Sequence, residues 1–502
     1  MRYLLVFLVS LTIFSSSFFI QRAFMTNFDE NGYISTIYLM QSGRSLYRDV
    51  FTHHFPFVYY WVRIFSPFNP DYSIPRTITV FRLTLLAFYL INFLLVNFSF
   101  RHRYSRLSYS VWIILLSTFF TLYHGNIVLS EIFSAILLSS LFWLCLTRLL
   151  AWETSTRYFM LLLVLFSSAA FWIQPLLILL SFLPLIFSRH RLLVLLSLFA
   201  VNLLPPAIFV LSGQLSSFWE QAILFNIRVY SPYFLSGLPV GNRYIQTALY
   251  LLRNEYYLFT HIGNNHQIFQ FTLHLGFYLL ILWAVMTKNL RAGLVLGLFF
   301  FTSRVREVKI IPGSIFNFGI YPFLVISSAA LISLLFKYSK YRKIAAPAFA
   351  LLLVLSLVNS QPILKDSLKP GYQYHVFWSP RQQAAELIES LTRPDEKILV
   401  YPHDMDLYAL SRRFPPDRFI YWFPLVDSVP TYRLERLTAL ASVPIPVIFL
   451  GSMNFNDDPD HYSRFFPDLV KNYIQIEKDG KPTRLWLNNL YLSRLSNLKS
   501  GP

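Results

Sequence analysis

The chain has a single cysteine, Cys145, among 502 residues, so no intrachain disulfide framework holds it together and its redox surroundings stay undetermined. Charge is scarce too. Asp, Glu, Lys and Arg make up 14% of residues against 55% hydrophobic ones, and the mean hydropathy is +0.48. That balance excludes an ordinary soluble enzyme, which buries its core without so many long apolar runs. The C-terminal part has no glycine-rich phosphate loop, so nucleotide binding there has no support. Internal repeats and low-complexity tracts are also missing.

What the sequence does have is apolar stretches of spanning length, recurring from Leu4 to residue 358. In hydrocarbon every backbone polar group must be satisfied within the segment, so these stretches imply a helical bundle. Their spacing predicts eleven spans, near 4–20, 78–98, 108–122, 127–147, 158–171, 174–187, 192–211, 270–286, 292–303, 317–336 and 344–358. The fifth and sixth form a re-entering pair broken near Gln174–Pro175.

The formal net charge of +18 invites a nucleic-acid reading, but its distribution argues against that partner. Up to residue 360 there are 26 Lys and Arg against 9 Asp and Glu; afterwards there are 17 against 16. The excess sits in short loops around Arg101–Arg106, Arg148–Arg157, Arg189–Arg191, Lys288–Arg291 and Lys337–Lys343. Basic short loops mark the cytoplasmic side of a bilayer. The first helix, lacking a small-x-small cleavage pattern after Ile20, is expected to stay uncleaved with its N-terminus inside.

Parity then puts the tail outside. The expected fold is a multi-spanning α-helical membrane protein with a small C-terminal extracytoplasmic α/β domain, in the plasma (inner) membrane. Residues 1–360 form the membrane domain, with outer loops at 21–76 and 212–269, and 361–502 form the soluble one. Short helices are expected at 33–42 and 55–66. The long loop 212–269 should hold helices that cover a cavity. In the tail, Ser379–Pro380 starts a helix running to Leu391. Strands are expected at Lys397–Tyr401, Phe419–Phe423, Pro446–Leu450 and Tyr473–Glu477, with a helix at Thr431–Ala441.

The few acids of the membrane body carry the chemistry. Asp29 and Glu30 follow the first span, at the outer surface. A carboxylate there can be a solvated loop residue or a general base taking the proton of an attacking hydroxyl. Asp29 is the preferred base and Glu30 the reserve. Glu131 lies just inside the fourth span, where an ionisable group is costly and therefore a candidate for function, or for pairing with an arginine. Arg304, Arg306 and Lys309 put positive charge on an outer loop, against the inward bias; a phosphate at the lipid surface suits arginine's donor fork. Headgroup binding is the plainer account, and Glu307 is placed to pair with one arginine. Tyr47, Asp49, His53 and His54 form a further cluster, suited to acceptor binding or to orienting the loop. It offers no clean metal triad.

Phe28-Asp29-Glu30-Asn31-Gly32-Tyr33, Gly43-Arg44-Ser45-Leu46-Tyr47-Arg48-Asp49 and Phe55-Pro56-Phe57-Val58-Tyr59-Tyr60, after an apolar first helix, resemble the start of bacterial GT-C glycosyltransferases. These belong with the protein mannosyltransferases and the lipid A aminoarabinose transferase. As architecture the resemblance runs through Glu131, Arg304–Tyr321 and the tail. It implies transfer of a sugar from a polyprenyl-phosphate donor to an extracytoplasmic acceptor (glycan, lipid or protein), with inversion at the anomeric centre. Asp29 matches the family's first-loop acid and Glu131 its second acidic position. Where relatives carry a lysine beside the loop proline, this chain has His54-Phe55-Pro56. The donor-phosphate role therefore shifts to Arg304, Arg306 and Lys309, with His54. No cofactor is required, and a divalent metal is compatible with the site. The rival readings are a transporter or flippase of lipid-linked saccharides, a lipid-linked glycan polymerase or ligase, and an assembly protein without catalysis.

Overall fold

The computed structural model describes residues 2–21, 28–66, 74–151, 156–232, 243–260, 265–304, 320–337, 342–367, 379–401, 404–420, 424–442, 444–451, 469–478 and 480–495. Among them, five helices are long and apolar enough to cross a membrane: Tyr3–Gln21, Arg76–Ser99, Ser130–Leu149, Arg191–Leu211 and Gln267–Met286. Shorter apolar helices cover Arg157–Ile173, Pro175–Phe187, Leu290–Ser303, Tyr321–Lys337 and Pro347–Gln361.

The N-terminal half runs α1 (Arg2–Gln21), α2 (Phe28–Gln41), α3 (Phe57–Phe65), α4 (Ile74–Ser99), α5 (Arg103–Ser117), α6 (Phe119–Tyr123), α7 (Ser130–Leu149) and α8 (Thr156–Ile173). The bundle is built around α7, from which nearly every side chain is buried. Its hydroxyls stay satisfied by turning back on the helix: Ser140 donates to the Ile136 carbonyl at 2.8 Å and Thr147 to the Leu144 carbonyl at 2.7 Å. Aromatic edges lock the neighbours. Phe14 of α1 lies edge-on to Tyr89, Phe93 and Phe120 at 4.8–5.0 Å, and Trp112 meets Trp143 at 5.7 Å.

The expected span 108–122 is not one helix. Thr118 separates α5 from α6, its hydroxyl bonding the Leu115 carbonyl at 2.7 Å, and His124 ends the turn in a left-handed conformation (φ 53°). The break at Gln174–Pro175 falls where the sequence put it, because proline lacks an N–H and pushes the preceding residue out of the helical region. Gln174 is extended (φ −142°, ψ 118°), a 3₁₀ segment covers Pro175–Phe182, and α9 (Leu183–Phe187) and α10 (Arg191–Leu211) follow. Beyond α10 the chain forms Leu215–Phe218 and two π-helical segments, Trp219–Leu224 and Asn226–Tyr230, and a further helix spans Arg243–Thr260.

In the first loop the helix begins earlier than expected, at Phe28, so Asp29 and Glu30 occupy its first turn. Acids there are favoured by the helix dipole. The tail holds the helices Ser379–Leu391 and Pro430–Ser442 and a four-stranded sheet of β1 (Leu399–Tyr401), β2 (Val447–Leu450), β3 (Tyr473–Lys478) and β4 (Lys481–Asn488), in the order β1-β2-β4-β3. Only β1 and β2 are parallel. Two expectations change here. Phe419 and Ile420 form no strand, and 421–423 lie outside the described residues. The unexpected strand, β4, sits between β2 and β3 and is joined to β3 by a tight turn in which Gly480 has φ +71°.

The tail's apolar core is continuous with the first loop. Ser35 donates to the Met405 carbonyl, and the Phe51 N–H to the Arg418 carbonyl at 2.8 Å. The Phe51 ring packs on Phe225, Phe419 and Tyr432 at 5.2–5.5 Å.

Candidate active site

Helical phase separates the two adjacent acids. Asp29 is exposed, whereas Glu30 is fully buried and ion-paired with Arg82 of α4. Arg82 grips Glu30 with Nη2–Oε2 at 2.6 Å and Nε–Oε1 at 2.9 Å, and the Val128 N–H adds a bond to Oε1 at 3.0 Å. A carboxylate held this way fastens α2 to α4 and to the chain entering α7. The placement favours anchoring over proton transfer for Glu30.

One turn beyond Asp29 stands Tyr33, four residues on and so on the same helical face. Its ring stacks on His54 at 5.6 Å and meets Tyr59 at 4.7 Å. Burial holds the Tyr33 phenol well above its ordinary pKa, reinforced by Tyr59 and by the charges of Glu131 and Asp29; its hydroxyl makes no hydrogen bond among the described residues. Burial likewise raises Tyr59, whose hydroxyl pairs with that of Thr52 at 2.8 Å. Both phenols therefore stay neutral at physiological pH. Glu131 lies in the first turn of α7 and accepts from the Ser130 hydroxyl at 3.0 Å; Ser130 in turn lies 3.5 Å from the Gln174 amide nitrogen at the helix break.

Beside this group is a cavity of about 290 Å³ whose lining includes His53, His54, Ser130, Gln174, Asn226 and Tyr230. The loop forming its floor is tied down on both sides. Tyr47, held at φ 68°, donates its hydroxyl to the His54 carbonyl at 2.9 Å. Gln221 accepts from the Thr52 N–H at 3.2 Å and donates to the Tyr47 carbonyl, while Asn226 donates to the His53 carbonyl at 2.6 Å. The segment after α10 thus supplies one wall of the cavity, through its π-helical segments. Asp49 closes the turn at 45–49 by accepting from the Ser45 N–H at 2.8 Å. That bond and Arg48 hold its carboxyl below the usual range although burial opposes them. Asp49 does not line the cavity.

Arg304 is placed differently from the expectation. It caps the helix Leu290–Ser303, is buried, and meets Glu255 with Nη1–Oε1 at 2.5 Å. Phe300 and Phe323 cover its guanidinium at 5.0 and 4.8 Å, and His274 Nδ1 lies 3.3 Å from the same carboxylate. Burial would raise the Glu255 pKa, but His274 and Arg304 bring it down to about 2. Arg304 shares an end of the bundle with Glu30: Phe323 follows Tyr321, whose hydroxyl meets that of Tyr89 at 2.8 Å, and Tyr89 donates to the Gly125 carbonyl at 3.1 Å. It does not line the cavity beside His54. Arg306, Glu307 and Lys309 lie outside the described residues. Among the described residues, no group of three or more His, Cys, Asp or Glu is placed to hold a metal ion.

Arg82, Glu255 and Tyr33 were not singled out as site residues from sequence. Arg82 was legible as a lone arginine in an apolar span, and Tyr33 as the residue one helical turn from Asp29.

Superposed on solved structures, the chain matches ArnT from Cupriavidus metallidurans over its whole length. With the form bound to undecaprenyl phosphate the TM-score is 0.54 at 13% identity, covering 99% of each chain; with the apo form it is 0.51 at 12%, covering 99% and 98%. The chain has the fold of the GT-C glycosyltransferases. An Archaeoglobus fulgidus oligosaccharyltransferase also aligns, with TM-score 0.48 and 13% identity over 89% of this chain and 69% of that one. No family model matches the sequence, and no curated protein matches it. With its spanning-length helices, this is the architecture of an integral membrane protein.

Proposed function

We propose that the protein is a GT-C glycosyltransferase that moves a sugar from a polyprenyl-phosphate donor to an extracytoplasmic acceptor. The observation carrying this reading is that Tyr33, one helical turn from Asp29, stacks on His54, which lines one cavity with Ser130, the hydrogen-bond donor to Glu131. The ArnT neighbour, solved with undecaprenyl phosphate, supports the class of donor.

In this reading the acceptor hydroxyl oxygen attacks the anomeric carbon from the face opposite the phosphate. The bond from that carbon to the phosphate oxygen breaks, and the lipid phosphate leaves with the electron pair. Asp29, exposed at the helix start, takes the hydroxyl proton. Neutral Tyr33, whose buried hydroxyl has no hydrogen-bond partner among the described residues, is a donor left for the acceptor and does not compete for that proton. Glu131, steadied by Ser130, orients the acceptor.

His54, Gln174 and Asn226 line the cavity and suit the donor's phosphate and sugar oxygens; Arg306 and Lys309 are the further cations assigned to the phosphate. Preorganised donors are most effective in a partly dehydrated site, and the aromatic walls of Phe55 and Tyr230 provide one. Arg304 positions the end of its helix through Glu255. The membrane domain is assigned to residues 1–360 and the extracytoplasmic domain to 361–502, with the acids and the tail on the outer face and the N-terminus inside. The test is transfer by the purified full-length protein from a panel of polyprenyl-phosphate sugars, with mass detection of released lipid phosphate. Release coupled to product supports the reading; transport of a lipid-linked saccharide without release overturns it.

A further inference from the structure

A second cavity, of about 770 Å³, lies at the other end of the same two helices. The first cavity touches Ser130 at the start of α7 and Ile173 at the end of α8; the second touches Arg148 and Leu149 at the end of α7 and Phe159 near the start of α8. At 1.5 Å per residue, the 18-residue separation along α7 puts the two about 27 Å apart. They are distinct sites.

The lining of the second is cationic. Arg148, Arg189, Arg291 and His190 contribute to it with Ser188 and Asn289, and no acid does. Two arginines are steadied by aromatic rings: Arg148 lies over Phe159 at 4.8 Å and Arg291 over Phe187 at 5.8 Å. The N-terminal ends of α10 and of the helix Leu290–Ser303 both arrive here, the latter with the Asn289 side chain accepting from the Ala292 N–H at 3.0 Å. Two helix N-termini and three guanidinium groups make a strong anion site. Beside it the helices expose Leu161, Leu192, Leu290 and Leu294, an apolar surface that acyl chains can cover. A soluble anion has no use for that surface.

We propose that this cavity binds the phosphate of an anionic phospholipid, with the headgroup among Arg148, Arg189 and Arg291 and the acyl chains along the exposed leucines. The site does not depend on the transfer chemistry at the opposite end. In the orientation expected from the basic loops it faces the cytoplasmic leaflet, where anionic lipid attracts basic pockets.

The test is native mass spectrometry of delipidated full-length protein, titrated separately with phosphatidylglycerol, phosphatidylcholine and inorganic phosphate. The expected result is retained phosphatidylglycerol, with phosphatidylcholine bound roughly tenfold more weakly. Arg189 and Arg291 are exposed, so Arg189→Gln and Arg291→Gln should fold, and each should weaken phosphatidylglycerol binding roughly tenfold. Arg157→Gln, at the same end but outside the cavity, should leave it unchanged. Equal binding of both lipids, equal loss in the Arg157 variant, or saturation by inorganic phosphate with no lipid retained would each overturn the proposal.

Discussion

Glu30 and Arg82 form a fully buried, two-pronged ion pair that pins the first-loop helix to the membrane bundle. Its neighbour Asp29 stays exposed because the pair fixes the rotation of α2. The exposure of Asp29 thus rests on a structural bond one residue away.

Removing one half of that bond leaves a buried charge uncompensated. Arg82→Ala should lower thermal stability by about 3–5 kcal/mol. The double variant Glu30→Gln/Arg82→Gln should lose less than the two single variants together. Detergent thermal unfolding followed by intrinsic fluorescence reads both outcomes, and additive losses would show that the pair does not anchor α2.

Tyr33→Phe keeps the ring stack with His54 and Tyr59 but deletes the hydroxyl. Turnover should fall roughly tenfold, the worth of one hydrogen bond from this hydroxyl to the bound acceptor, with folding intact. Unchanged turnover would remove Tyr33 from the site.

Arg304→Ala should act on stability more than on donor affinity, since its guanidinium is spent on Glu255. The sign of the pH effect follows from Glu255. Its folded pKa, about 2, lies below its ordinary value, so its stabilisation is present above roughly pH 4.5 and fades as pH falls toward 2. Acid unfolding of the wild type should show this loss, and the Arg304→Ala and Glu255→Gln variants should flatten it. Weakened donor binding with unaltered stability would restore a phosphate-binding role to Arg304.

The tail carries the opposite sign. Burial lifts both Asp406 and Asp417 to about 6, against the pull of Arg381 on the first and Arg436 on the second. Groups raised in this way stabilise the fold fully below pH 4, and the contribution is lost as pH rises through 6. Asp406→Asn and Asp417→Asn should each make the melting temperature less sensitive to pH between 4 and 7. An unchanged pH profile would show that neither carboxyl is protonated in the fold.

Long apolar runs and sparse charges made most membrane helices legible, because hydrocarbon leaves the backbone little choice. Gln174–Pro175 was legible for the same local reason, the missing N–H. The helix Ser379–Leu391 began at its serine and proline as expected. β4 was missed since Lys481, Pro482 and Arg484 hide its alternation; Asp479-Gly480 was the hairpin signal to use. In the site, Asp29 and Glu131 stood out because acids are rare in the membrane body. The roles of Glu30 and Arg304 were not legible: each depends on a partner, Arg82 or Glu255, that only the packing of distant helices supplies.

The most direct test of the central claim is the turnover of Asp29→Asn with a polyprenyl-phosphate sugar donor. Transfer is expected to disappear nearly completely while expression, melting temperature and donor binding stay at wild-type levels. Transfer at the wild-type rate would contradict that claim.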